Sequence, residues 1–148
     1  MNFGRALILV YLFGLLTACD KPFGIFPGAE LDSPVKDVPA EWAFAQLSGL
    51  AQLEVNPNEP YSVNLVYTVV DGQIYINAGD TRTKWVEFIE ENPNIRLQID
   101  EAIYELKADR VNDAEVVAKF AEQWTKQSFF RRDPSKLDEL FLFRLTKR

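Results

Sequence analysis

The chain has 148 residues, no histidine and a single cysteine, and its 16 basic and 22 acidic residues give a net charge of −6 at pH 7. This length suits one domain, and the acidic balance argues against nucleic acid as a partner. Because histidine is missing, histidine-based catalytic triads, imidazole haem ligation and histidine zinc sites are excluded, and we expect neither a metal nor a haem.

The N-terminus has the layout of a secretory signal. Arg5 precedes an apolar run over residues 6–18, which is shorter than the roughly 20 residues that span a bilayer. The stretch "LTAC" that follows resembles the lipobox of bacterial lipoproteins, in which the signal peptide is removed before the cysteine. This resemblance implies that acyl chains such as palmitate are attached to Cys19. The alternative is an uncleaved membrane anchor with an incidental cysteine.

Asp20 directly follows that cysteine and resembles the signal that retains lipoproteins at the inner membrane of some Gram-negative bacteria. We therefore expect a lipid-anchored protein of the cell envelope, on the periplasmic face of the inner membrane. Residues 20–39 carry four prolines and show no helical or strand period, which predicts a tether. Within it, Phe23, Ile25 and Phe26 could pack on the domain or dip into lipid. The predicted parts are a signal peptide (1–18), a lipidated N-terminus with a proline-rich tether (19–39) and a folded domain (40–148).

Hydrophobic periodicity predicts the elements of the domain. The pair Asp71-Gly72 lies between two β-rich runs and strongly favours a hairpin. The predicted strands are 50–55, 61–70, 73–79, 94–100, 102–111 and 139–148. The predicted helices are 40–49, one from Thr81 or Thr83 to Pro93, and one from Asn112 or Asp113 to about residue 127. The fold class is thus α+β and mainly β, with about six strands and short helices.

Side-chain alternation also predicts which residues face the core. On the strand over 61–70, Val63, Leu65, Tyr67 and Val69 are expected to point inward, and Ser62, Asn64 and Thr68 outward. Trp124 belongs to the apolar stripe of the last helix. Arg131-Arg132 is interpreted as part of a surface loop, and the alternative is an anion clamp.

The order of these elements resembles the flavin-binding split β-barrel superfamily, which includes pyridoxamine-phosphate oxidase, flavin reductases and deazaflavin-dependent nitroreductase relatives. The matching stretches are "YSVNLVYTVVDGQIYINAG" and "TKWVEFIEENPNIRLQIDEAIYELKADRVND", and the resemblance covers residues 40–146. It implies an antiparallel split β-barrel, a homodimer, and a flavin or deazaflavin bound in the groove between subunits.

The resemblance also implies where the cofactor binds. A hydroxyl and a basic residue near the N-terminus of the short helix usually hold the phosphate, as free backbone N–H groups and a positive charge would. The cofactor-binding residues expected on this basis are Asn77, Thr81, Arg82, Thr83, Lys84 and Trp85. The alternative is that a threonine caps the helix, Arg82 and Lys84 are solvated, and Trp85 is core. Asn77 either meets the cofactor ring or bonds to the backbone at its strand end.

One feature departs from the pattern of the superfamily. Many relatives have a Gly- and Arg-rich turn between the first two strands, whereas the turn "NPNEPYS" here contains Glu59 and no basic residue. Two functions stay open: a membrane-anchored redox protein that binds FMN or a deazaflavin and reduces a small or quinone-like acceptor, or a non-catalytic split-barrel lipoprotein that binds a ligand or an envelope protein. No catalytic residue is assigned, and whether the protein is an enzyme is left open.

Overall fold

The computed structural model describes residues 21–43 and 47–148. Cys19, Asp20 and the predicted signal peptide lie outside these residues, as does the middle of the predicted first helix. The strands are β1 (Val35–Lys36), β2 (Ser48–Val55), β3 (Tyr61–Val70), β4 (Gln73–Asn77), β5 (Asn94–Ile99), β6 (Ala102–Arg110) and β7 (Leu142–Lys147). The helices are α1 (Lys84–Glu91) and α2 (Ala114–Lys126), with a 3₁₀ turn at Pro134–Lys136.

Six of the strands close into an antiparallel barrel in the order β2-β3-β4-β7-β6-β5, so the predicted fold class is confirmed. The hairpin between β3 and β4 turns at Asp71 and Gly72, whose φ values of 50° and 72° are the left-handed values that such a turn requires. The two-residue strand β1 adds to β6 in parallel, beside Ile103 and Tyr104. Since β4 pairs only with residues 67–70 of β3, the first half of β3 has an edge that β4 leaves open.

Two apolar clusters hold the fold together. The larger one fills the barrel, and α1 contributes Trp85, Val86 and Ile89 to it. The smaller one lies between the barrel wall and α2, where Phe120 is fully buried against Tyr75. Burying a large apolar side chain such as Phe120 contributes about 1.5–3 kcal/mol.

The outer face of β3 differs in part from what side-chain alternation predicts. Val63, Leu65, Tyr67 and Val69 do pack on the main core, as expected. Ser62 and Thr68, expected to face solvent, are buried. The reason is that chain segments cover both ends of the strand: the backbone of Gly28 bridges to Ser62, and Gln127, after α2, donates its Nε2 to Thr68 Oγ1 at 2.9 Å.

Residues 21–39 lie against the barrel instead of projecting from it. Leu31 is fully buried, and its backbone N–H donates to the Glu54 carboxylate at 2.6 Å. Arg96 donates from Nη1 to both oxygens of the same carboxylate, at 2.9 and 3.0 Å. The proline-rich composition did not indicate these contacts or strand β1, because the partners are distant in sequence.

The prediction of a helix over 40–49 is wrong for the described part of that range. Residues 40–43 are not helical, and β2 begins at Ser48, because the chain there pairs with Thr68 of β3. Trp42 is buried, and its ring centroid lies 4.9 Å from that of Tyr104 in an edge-to-face arrangement. Within the described ranges, no helix has the length and apolar content needed to cross a membrane.

Candidate functional site

The loop after β4 carries the first part of the site. Asn77, the last residue of β4, accepts from the Gly79 backbone N–H at 3.1 Å through its side-chain oxygen. Gly79 has a φ of 62°, which glycine adopts without strain. Two backbone bonds, Ala78 N to Phe141 O at 2.9 Å and Phe141 N to Gly79 O at 2.8 Å, fix this loop to the chain before β7. The loop is therefore held in place by backbone geometry.

The amide nitrogen of Asn77 has no such partner. Its Nδ2 is buried and lacks a hydrogen bond to any described residue. An unsatisfied buried donor costs about 1–3 kcal/mol. Such a group is therefore a place where a ligand or water is expected to bind.

A groove of about 300 Å³ opens beside this amide, where the end of β4 meets the end of α2 and the chain that follows it. We call it the Asn77–Arg131 groove. Its lining residues are Asn77, Ala78, Gly79, Trp124, Arg131, Arg132, Pro134 and Leu137.

Arg131 supplies the positive charge of the groove. The centre of its guanidinium lies 3.6 Å from the centroid of the Trp124 ring, a stacked arrangement that arginine favours on an indole face. Its Nη1 is buried without a partner in the described part of the chain, and burial lowers the pKa of this guanidinium from its usual value. Asn77 and Arg131, which both line the groove, thus each have a buried N–H donor without a partner among the described residues.

Arg132 closes one side of the groove. Its two Nη atoms donate to the two carboxylate oxygens of Asp80, at 3.1 and 2.7 Å. This bidentate bond lowers the pKa of Asp80 from its usual value, and it joins the loop after β4 to the loop after α2. Arg132 is therefore already engaged, whereas Arg131 has free donor capacity.

Comparisons with known proteins identify the architecture. No protein-family model matches the sequence, and no curated protein matches it either. A conserved hypothetical protein from Mycobacterium tuberculosis is similar in structure, with a TM-score of 0.53 and 15% identity over 67% of this chain and 72% of that one. A protein described as a candidate pyridoxamine 5'-phosphate oxidase from Listeria innocua has a TM-score of 0.51 and 16% identity, over 66% of this chain and 82% of that one.

The chain has the split β-barrel fold. At this level of identity the likeness establishes the fold alone. It agrees with the resemblance seen in the sequence, which predicted the same architecture.

The split barrel places the predicted phosphate residues on the surface, where each basic side chain already has a contact. Arg82 forms an ion pair with Glu90, with Nη2 2.5 Å and Nε 3.0 Å from the same carboxylate oxygen. Lys84 Nζ lies 5.1 Å from the centroid of Tyr61 and 5.4 Å from that of Phe88. The two cations therefore do not converge on a shared empty position.

The remaining predicted residues lie at different depths in the split barrel. Thr81 is exposed, while Thr83 is the N-cap residue of α1 but makes no side-chain cap bond. The Thr83 hydroxyl is buried without a partner among the described residues. Trp85 is 8% exposed and packs its ring 6.0 Å from that of Phe143, so it occupies the core position that the sequence left as an alternative. Of the predicted set, only Asn77 lines the groove.

Sequence reasoning missed Trp124 as a site residue, and it kept a binding role for Arg131, as part of an anion clamp, only as the alternative to a surface loop. It assigned Trp124 to the apolar stripe of the helix and Arg131 to a surface loop, and neither pattern distinguishes a ligand-binding residue. The one available signal was the sequence "FFRR", which begins three residues after the last residue of α2 and is an aromatic and basic run that is unusual for a solvated loop. Among the described residues, no group of metal-binding side chains comes together.

Proposed function

We propose that this chain is a membrane-anchored lipoprotein whose split barrel binds FMN or a deazaflavin in the Asn77–Arg131 groove and transfers electrons to a small or quinone-like acceptor. The observation that carries the proposal is a pair of buried N–H donors without a described partner. One is Asn77 Nδ2, and the other is Nη1 of the Arg131 guanidinium, which is stacked on Trp124. The fold supports it, since the resemblance in sequence is to flavin-binding split barrels and one similar structure is described as a candidate pyridoxamine 5'-phosphate oxidase.

The residues of the groove suit an anionic, planar cofactor. Asn77 Nδ2 and Arg131 Nη1 would donate to carbonyl or phosphate oxygens, and the Trp124 indole gives the groove an aromatic wall. When bound, a flavin or deazaflavin would supply the hydride or electron chemistry, and the protein would orient it and exclude water. The groove is at the lower end of the roughly 300–1,000 Å³ found for ligand sites, so it accommodates part of a nucleotide. A second copy would enclose the rest, as in the expected homodimer.

Arg131 is better placed than Arg82 to bind the anionic end of the cofactor. An anion at Arg82 would have to displace the Glu90 carboxylate, whereas Arg131 has no salt bridge within the described residues. A hydrogen bond to a charged group contributes about 1.5–3 kcal/mol. Removing it should therefore weaken binding by roughly 10- to 150-fold.

The test is a titration of the protein with FMN and with a deazaflavin, followed by visible absorbance and thermal unfolding. At about 100 times Kd, a bound ligand stabilises the folded state by about 2.7 kcal/mol. Arg131→Ala and Asn77→Ala should each weaken binding, while Arg82→Ala should leave it nearly unchanged. If Arg82→Ala weakens binding and Arg131→Ala does not, the anionic end lies at the start of α1 and the groove is wrongly assigned. A colourless protein whose Tm ignores both cofactors rejects the redox function.

The anchor is tested separately. Mass spectrometry of the mature N-terminal peptide should show acyl chains on Cys19, and Cys19→Ala should leave an unprocessed precursor. Membrane fractionation should place the protein at the inner membrane, and replacing Asp20 by serine should shift it to the outer one. A mature protein that starts elsewhere, or that carries no lipid, contradicts the lipoprotein proposal without affecting the groove.

A second function, a non-catalytic split-barrel lipoprotein that binds another ligand or an envelope protein, is favoured by one observation. The positions that the resemblance assigns to phosphate binding offer little positive charge. Glu90 already forms an ion pair with Arg82, and the β2–β3 turn exposes the negative charge of Glu59. The titration separates the two functions. A protein that fails to bind either cofactor, yet is acylated and folded, has the second function.

A further inference from the structure

The outer face of β3 carries a row of four residues that the N-terminal segment and the chain after α2 partly cover. Ser62, Asn64, Val66 and Thr68 alternate with the core-facing residues of this strand. The N-terminal segment is fixed at one end of the row, because Asn64 donates from Nδ2 to the carbonyl oxygens of Pro22 and Gly24, at 3.2 and 3.1 Å. The chain after α2 is fixed at the other end, where Gln127 bonds to Thr68.

The N-terminal segment forms a tight turn at this point. Phe23 and Phe26 exchange two backbone hydrogen bonds, of 3.1 and 2.9 Å, around Gly24 and Ile25. Gly24 has a φ of 58°, which allows the chain to reverse without strain. The turn therefore presents its apolar side chains from a hydrogen-bonded frame that Asn64 holds on the barrel.

Large apolar side chains are exposed in the two segments that are fixed on this row, and on β2 beside it. Single exposed apolar residues are normal, but a run of them on one face marks an interaction surface. Leu50 lies opposite Val66, between the covered residues Asn64 and Thr68, which are about 14 Å apart at the usual rise of a strand. We call this set the apolar face: Phe23 (75% exposed), Ile25 (93%), Phe26 (66%), Leu50 (78%), Phe129 (97%) and Phe130 (91%).

We propose that the apolar face docks on the surface of the lipid bilayer, with the turn of residues 23–26 and the Phe129-Phe130 pair inserted at the level of the headgroups and upper acyl chains. The proposal rests on the proposed lipid anchor. Cys19 precedes Phe23 by four residues, so a fully extended chain places the acylated cysteine within about 14 Å of the turn. Because Asn64 fixes the turn on the barrel, the anchor brings this side of the barrel to the bilayer.

The chemistry of the face fits lipid better than a broad ionic contact. Aromatic and aliphatic side chains bury favourably at the boundary between headgroups and acyl chains. Lys21, which is exposed and precedes the turn by two residues, can meet lipid phosphates. The overall net charge of −6 makes adhesion through electrostatics alone unfavourable, so apolar insertion has to supply the contact.

The test uses the full-length lipidated protein in vesicles of phosphatidylethanolamine and phosphatidylglycerol. Cys19 is the only cysteine in the sequence and is acylated in this form, so an introduced cysteine is the single site for a nitroxide label. Ile25→Cys and Phe129→Cys place the label on the apolar face. Lys107→Cys is the matched control, because β6 is three strands from β3 around the barrel and Lys107 is exposed there. Power saturation with oxygen and with a water-soluble nickel chelate reports the depth of each label.

Docking predicts a higher ratio of oxygen to nickel accessibility at residues 25 and 129 than at residue 107. Equal ratios at the three positions overturn docking. Spin–spin broadening between labels at residue 25 shows that a second copy covers the face, and this too overturns it. Flotation of the vesicles separates the proposed lipid anchor from the proposed docking. Protein that floats while the label at residue 25 remains in water has the anchor but does not dock. Protein that carries no acyl chain and does not float contradicts both proposals.

Discussion

The buried carboxylate of Glu54 is expected to fasten the N-terminal segment to the barrel, and replacing it by glutamine should release that segment. Glu54 is 5% exposed and accepts one bond from the Leu31 backbone and two from Arg96. Glu54→Gln keeps the size and shape of the side chain. The glutamine side chain keeps one oxygen that can accept. Its NH₂ group takes the place of the other oxygen and faces an N–H donor, so that hydrogen bond is lost.

The magnitude follows from which partner is lost. A hydrogen bond to a charged group contributes about 1.5–3 kcal/mol, and breaking a fully buried ion pair costs about 3–5 kcal/mol. Arg96 is not stranded, because its side chain is 21% exposed and Glu30 lies 3.6 Å from it. We therefore expect the free energy of unfolding to fall by about 2 kcal/mol. In urea, this corresponds to a midpoint lower by about 1 M for a domain of this size.

Urea unfolding of the chain from Lys21 to Arg148 measures this change, and hydrogen exchange at the Leu31 amide locates it. Glu59→Gln is the matched control, since Glu59 is exposed in the β2–β3 turn and should change stability by less than about 0.5 kcal/mol. The reasoning is refuted if Glu54→Gln unfolds at the same urea concentration as the control and the Leu31 amide exchanges at its original rate. In that case other contacts, such as the Gly28–Ser62 bridge, hold the segment.

Three further changes test other parts of the fold. Asp113→Ala removes the side chain that accepts from the first two backbone N–H groups after Ala114 in α2. Thermal unfolding should therefore show a free energy of unfolding lower by about 1 kcal/mol. An unchanged Tm would mean that this cap is dispensable. Gly49→Ala would place a Cβ 2.6 Å from the Tyr67 hydroxyl and should destabilise the barrel by about 1–3 kcal/mol in urea; no loss would show that the tyrosine ring can shift. The hydrogen bond from the Lys107 ammonium lowers the pKa of the Asp109 carboxyl from its ordinary value of 3.8. The ionised carboxylate therefore stabilises the folded state above that pH, and this stabilisation is lost as the pH falls through the lower pKa of the folded state. Tm measured against pH should therefore fall less steeply in acid for Asp109→Asn, and parallel curves would contradict the assignment.

The barrel could be predicted because its signals are local. The alternation along β3, the Asp71-Gly72 turn and the asparagine and aspartate before α2 all report on neighbouring residues in the chain. Of the two predicted cap residues, Asn112 and Asp113, it is Asp113 that caps α2. The hairpin at Asp71-Gly72 is confirmed at the predicted residues. Periodicity also placed Trp85 on the face of α1 that packs inside the barrel, so its burial was available from the sequence as an alternative.

The N-terminal packing and the groove could not be predicted, because both depend on contacts between distant residues. Glu54 meets Leu31 across 23 positions, and Asn64 meets Pro22 across 42. The proline-rich composition of residues 20–39 indicates only that this segment is extended, and an extended chain can equally well be free or lie on a sheet edge. Likewise, no local pattern brings Asn77 to Arg131, since their approach depends on how β4 and the end of α2 meet on the finished barrel.

One short stretch, residues 127–132, joins the two proposed surfaces. Gln127 is fixed on the barrel by accepting from Ser48 Oγ at 2.8 Å and donating to Thr68, and the two exposed phenylalanines follow it directly. Arg131, the next residue, turns back to stack on Trp124 inside the groove. If the barrel rests on lipid through Phe129 and Phe130 as proposed, Arg131 brings the groove close to the bilayer surface. An acceptor dissolved in the membrane would reach the groove without crossing water, which favours a quinone-like acceptor over a charged, freely diffusing one.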